Sequence, residues 1–291
     1  MHQRNVDPVL RRSAVGLVCC TFGLVIAGAL VTSNDAALSV PDWPLSWGRL
    51  VPALEGGIRY EFAHRATAFL VAILTTILAV WMRTRLAWTA LGLVLAQAAL
   101  GGVVVRYVTP AWATIAHACL AQLFFAAVVA IAVDLYMEPH ASHELAGGSA
   151  CPTMPTIAAV GLFAQTILGA AVRYGLVLPM AHIAGAVLAT ILVMWAGLSI
   201  LMQHMENATL RRPAMLLLTI TFSQVFLGIG AYMARIAYAD APQPMPMMVW
   251  FSVAHVAVGS LAFGAAVALA MMVYRHPRSE PVLANGGIVI A

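Results

Sequence analysis

Four histidines, His64, His117, His182 and His255, each fall near the start of an apolar segment of helical length. An ionisable side chain inside a membrane segment is costly unless it is partnered, and it marks a functional position by default. A neutral imidazole ligates a metal through one nitrogen while a hydrogen bond orients the other. Two such residues from the second and fourth segments can clamp one haem iron from opposite faces, and the sixth and eighth segments can do the same for a second. A single histidine would be explained as well by an interhelical hydrogen bond. Four at matching positions favour ligation. His2, His140, His143, His204 and His276 lie at termini or segment boundaries and are expected to be solvated.

Glu61 precedes His64 by three residues, in Glu61-Phe-Ala-His64-Arg65. Residues i and i+3 share a helix face, so the carboxylate is expected over the same pocket as the imidazole. There it can stabilise positive charge or move a proton. A first-turn acid favoured by the helix dipole accounts for the spacing nearly as well. Arg106, Arg173, Arg235 and Arg65 sit at outer helix ends. Arginine forms bidentate, charge-assisted bonds to carboxylates such as haem propionates, although arginines at helix ends also snorkel to headgroups.

The elements that must carry these residues are read from hydropathy. Of 291 residues, 62% are hydrophobic and 9% charged, against about a quarter charged in a soluble domain. Lipid is therefore the organising solvent. Apolar runs of spanning length fall at 13–33, 62–82, 87–105, 111–133, 155–173, 180–202, 213–235 and 248–274. All basic residues are arginine, and no basic run could track a nucleic-acid backbone, so nucleic acid is not expected as a partner. With the N-terminus inside, more arginines fall on that side, which places both termini in the cytoplasm. The four cysteines form no CxxC or CxxCH, which argues against covalent haem attachment and a cysteine zinc site. The Met residues show no paired spacing with His.

An internal repeat organises the runs. Gln97-Ala-Ala-Leu-Gly101, Gln165-Thr-Ile-Leu-Gly169 and Gln224-Val-Phe-Leu-Gly228 lie in the third, fifth and seventh segments. Each leads through an arginine and an outer loop to the next histidine. The small residue and the amide are expected mainly as helix-packing devices. The first hairpin lacks the glutamine motif but ends in His64. The expected fold is therefore an all-α integral membrane protein, with eight transmembrane helices as two pseudo-symmetric four-helix bundles. The halves are 1–135 and 155–275, with a connection at 136–154 and a tail at 276–291. Long outer loops at 34–61 and 236–247, rich in proline, could cover a site on that face.

The run Ser39-Val-Pro-Asp-Trp-Pro-Leu-Ser46, the Glu61-to-Arg65 run and the Gln-x-x-Leu-Gly repeats resemble the haem A synthase family over nearly all eight segments. The resemblance implies a b-type haem between His182 and His255, with Arg173 and Arg235 at its propionates. It implies substrate haem O between His64 and His117, with Arg65 and Arg106 nearby. Glu61 would assist where a ring methyl of haem O is oxidised to the formyl group of haem A, for use by terminal oxidases. It further implies a bacterial inner-membrane setting, beside a haem O-producing enzyme and an oxidase assembly, with an unspecified electron acceptor. Some family members carry cysteines seven residues apart in the first outer loop; here Ser39 and Ser46 have that separation, and the last loop has no cysteine. A di-haem b-type electron-transfer protein would use the same histidines without a task for Glu61. A transporter would also contain paired repeats, but with sites between broken helices.

Overall fold

The computed structural model describes residues 7–137 and 153–275. Eight helices account for the eight apolar runs: α1 (Pro8–Ser33), α2 (Ile58–Met82), α3 (Arg85–Arg106), α4 (Ala111–Tyr136), α5 (Thr153–Arg173), α6 (Pro179–Gln203), α7 (Ala208–Ala237) and α8 (Pro246–Arg275). All eight are long and apolar enough to cross a membrane, and the described residues form no strand. The chain is an all-α, multi-pass membrane protein.

Local chemistry sets the helix ends. Asp7 caps α1 by accepting from the Val9 N–H at 2.8 Å, with Pro8 at the first helical position, where its missing N–H costs nothing. Thr84 and Asn207 cap α3 and α7 in the same way. Helix α7 starts at Ala208, earlier than the 213 expected from sequence, and carries Pro213 within its second turn. Pro213 has no N–H to give the Thr209 carbonyl, so α7 forgoes one intrahelical bond there, one turn beyond its Asn207 cap. Helix α2 likewise starts at Ile58, so Glu61 lies in its first turn. Three buried hydroxyls bond to their own helix: Thr21, Thr75 and Ser260 donate to the carbonyls of Leu17, Val71 and Val256.

Packing closes two rings. Helix α1 contacts α2 and α4, while α3 contacts α2 and α4; α5 to α8 repeat the arrangement. The two rings meet where α4 lies against α8, flanked by α1 on α8 and α4 on α5. Each ring has its own apolar core, one around Leu17, Leu78, Val94 and Phe124, the other around Val193, Leu217, Phe263 and Leu269. Small residues let the seam close. At Gly264 of α8, an added Cβ would lie 3.0 Å from the Phe125 ring of α4. In this topology α2 and α4 stand at opposite corners of the first ring, and α6 and α8 at opposite corners of the second.

Candidate functional site

Diagonal placement brings the embedded histidines together across each ring interior. The His64 and His117 ring centres lie 6.4 Å apart with planes inclined by 71°. For His182 and His255 the values are 6.2 Å and 80°. Two imidazole nitrogens bound from opposite sides of one metal at about 2 Å each place their ring centres roughly 6.3 Å apart. No group of three or more His, Cys, Asp or Glu forms a metal cage among the described residues. A metal held by one of these pairs therefore needs a ligand that supplies the rest of its coordination sphere, which is what a porphyrin does.

The repeat motifs explain how the rings are held. Each histidine packs its edge over a glycine on the preceding helix: His64 over Gly28, His117 over Gly101, His182 over Gly169 and His255 over Gly228. A Cβ built at these glycines would meet the ring Cε1 at 3.1, 3.3, 3.0 and 2.9 Å, respectively. Gln97 donates its Nε2–H to the His117 carbonyl at 2.9 Å, and Gln165 to the His182 carbonyl at 2.7 Å. The Gln224 amide approaches His255 Nε2 at 3.3 Å. The glutamines and glycines are thus packing devices that also orient a histidine.

Several polar atoms here are left over. Nδ1 of His64, His117 and His255 is buried without a hydrogen bond, as is Oε1 of Gln97, Gln165 and Gln224. Rotating an amide offers its oxygen to an imidazole N–H, the tautomer in which the other nitrogen is free to ligate. This donor set fits haem.

Glu61 is 3% exposed and commits both carboxylate oxygens. Oε2 accepts from the Val40 N–H at 2.8 Å, and Oε1 pairs with Arg65 at 2.6 Å. Arg65 in turn donates to the carbonyls of Asp42, Leu45 and Val40 at 2.7, 2.9 and 3.2 Å. Within that loop, Asp42 accepts from the N–H groups of Trp47 and Gly48. These bonds, led by that from Gly48, hold its carboxyl below the ordinary value of 3.8. The Trp43 indole lies on Gly102, one residue beyond the glycine under His117.

The other arginines fall into three settings. Arg106 is exposed in the last turn of α3. Arg173 crosses between the rings and donates to the Thr32 carbonyl at the end of α1. Beside it, burial pushes the Tyr174 hydroxyl above 10.0 while it bonds with Arg173 and Thr114. Arg235 lines a cavity of about 370 Å³ with Val172, Pro179 and Tyr232. Val172 and Pro179 lie three residues from Gly169 and His182, and Tyr232 four from Gly228. The cavity therefore opens about one turn outward of the second histidine pair.

One expectation is overturned: His204, read as solvated, is 7% exposed at the end of α6, where its backbone N–H bonds to the Ile200 carbonyl. Backbone bonds on both sides, to the Ile200 carbonyl and from the Asn207 N–H, hold it in the tight connection between α6 and α7. His2, His140, His143, His276 and Cys151 lie outside the described residues, as do the tail and most of the 136–154 connection. Gly28 has no glutamine motif to mark it, although a glycine on the helix before the histidine recurs in all four hairpins.

No family model matches the chain. It is similar to curated proteins named heme A synthase. It is 31% identical over 137 residues to that of Roseobacter denitrificans, covering 40% of this chain and 35% of the relative. With the Methylobacterium radiotolerans protein the identity is 34% over 134 residues, covering 39% and 36%. The Maricaulis maris protein is 31% identical over 156 residues, covering 45% and 46%. The matches thus span less than half the length of these relatives.

Proposed function

We propose that this chain is a haem A synthase, converting haem O to haem A, with substrate bound between His64 and His117 and a resident b-type haem between His182 and His255. The observation that carries the reading is the pair of facing imidazole couples, each at a separation suited to one hexacoordinate iron. Similarity to proteins named heme A synthase supports the substrate. A resident haem supplies a one-electron redox centre.

The chain's own residues bind and orient. The glycine under each ring lets the imidazole edge come close to the neighbouring helix, and at His117, His182 and His255 a glutamine holds the backbone or the ring. Arg235, in the cavity outward of the second couple, is set to pair with a porphyrin carboxylate. Arg173 stands at the junction of the halves, and Arg106 at the outer end of α3. Glu61, one turn before His64, fixes a carboxylate at the outer side of the first site, where it can stabilise positive charge that develops on the substrate. In this reading residues 1–135 form the substrate half and 155–275 the haem b half. The protein sits in the bacterial inner membrane with both termini cytoplasmic, near the source of haem O and the oxidase that receives haem A.

Extraction of bound haem followed by mass analysis, before and after supplying haem O and oxygen, tests this. Haem B together with haem O, its hydroxylated form or haem A supports the synthase. Haem B alone, with haem O never altered in fully loaded protein, would leave a di-haem electron-transfer protein instead.

A further inference from the structure

We propose that Arg65 is a positioning residue that clasps the first outer loop over the His64–His117 pair and fixes Glu61, rather than a partner for a porphyrin carboxylate. The proposal rests on the two-site reading above. A guanidinium offers five N–H donors, two on each Nη and one on Nε. Nη1 already serves the Asp42 and Leu45 carbonyls, and Nη2 serves the Val40 carbonyl and Glu61 Oε1. Only the Nε–H is left, and bidentate pairing with a carboxylate needs two.

The clasp closes on itself. Val40 gives its N–H to Glu61 and its carbonyl to Arg65, so one fully buried loop residue is held from both sides. Three residues on, Trp43 rests on Gly102 beside the His117 cradle. The loop therefore passes over the outer end of the first pair. The corresponding region over the second pair is the open cavity lined by Val172, Pro179, Tyr232 and Arg235.

This asymmetry suits a site that exchanges its ligand beside one that keeps it. A flat macrocycle can enter or leave the first pair only when the clasp releases residues 40–45. The same closure returns the Glu61 carboxylate to one orientation.

The test compares the full-length wild type with Arg65→Lys, Arg65→Ala and Trp43→Ala. Hydrogen exchange of residues 40–48 is measured without haem, and haem release from each site is measured with a scavenging protein. Both Arg65 variants should speed exchange of the loop and release from the first site by at least about tenfold, as loss of charge-assisted hydrogen bonds implies. Release from the second site should stay within about twofold, since distant sites act independently. Trp43→Ala, which spares the clasp, should also speed first-site release. Lysine keeps the charge but not the four-acceptor geometry. Wild-type behaviour of Arg65→Lys, or unchanged loop exchange in Arg65→Ala, would overturn the proposal. So would first-site release that is unaffected by Trp43→Ala. Should no variant or wild type bind haem, the two-site reading fails by itself, while loop exchange still decides the clasp.

Discussion

His182 and His255 meet across the second helix ring with centres 6.2 Å apart and planes at 80°. They come from opposite corners of the ring, so neither can approach the other without the whole bundle holding its shape. His64 and His117 repeat the relationship at 6.4 Å and 71°. Two couples with one geometry, built from four hairpins, are the structural core of the proposed function.

Replacing either member of the second couple should remove one haem and spare the other. His182→Ala or His255→Ala is expected to abolish the b-type haem while the protein stays inserted and helical, because each ring is a side chain at the bundle interior and not a support for its helix. Haem content per protein, with circular dichroism as control, reads this directly. Undiminished content in both variants would remove the ligand assignment.

The glycine cradles predict a selective loss. A Cβ at Gly228 would lie 2.9 Å from His255 Cε1, so Gly228→Ala must push the ring. The ring is the mobile end of a side chain, so the apoprotein yields cheaply. The displaced imidazole is then off its ligating position, and overpacking of this kind costs about 1–3 kcal/mol. Haem affinity at the second site should fall by roughly that amount with little change in thermal stability of the apoprotein. Equal losses in both quantities would show that the glycine serves helix packing alone.

Gln165 bonds the His182 backbone at 2.7 Å and its Nδ1 at 3.0 Å. Groups that orient a metal-bound histidine usually matter by about 10- to 100-fold in affinity. Gln165→Leu should weaken haem binding at the second site within that range and leave the first site unchanged. Titration of apoprotein with haem, followed optically, measures it.

Asp42 lies outside the membrane spans, and its carboxyl is held below 3.8 chiefly by the Gly48 N–H. A depressed folded-state value means that the ionised form favours the ordered loop. That contribution is fully present above the ordinary value and is lost as pH falls through the folded one. Protection of the Trp47 and Gly48 amides, corrected for intrinsic exchange, should therefore drop only below pH 3.8. Asp42→Asn should lower it at neutral pH as well. Protection independent of both would sever the carboxylate from the turn.

Much of this was legible in the sequence because lipid imposes simple rules. Uninterrupted apolar runs gave the eight spans, and the repeated Gln-x-x-Leu-Gly units pointed to the histidines that follow them. Helices α2 and α7 start earlier than their apolar runs because hydropathy fades over their polar first turns, while backbone bonding, with the Asn207 cap on α7, carries the helix further. The role of Gly28 is hidden in the sequence because it is one of three glycines in α1 and lacks the accompanying glutamine. The partners of Arg65 were illegible for a different reason. Three of them are backbone carbonyls, which every residue possesses, so no side-chain pattern announces them.

Electron paramagnetic resonance of the oxidised, haem-loaded protein tests the central claim most directly. Nearly perpendicular imidazoles on one ferric iron leave its dxz and dyz orbitals almost degenerate, which gives a strongly anisotropic low-spin signal. Two such signals are expected, one lost with His64→Ala or His117→Ala, the other with His182→Ala or His255→Ala. High-spin iron in the wild type, or low-spin signals that survive all four substitutions, would contradict the account.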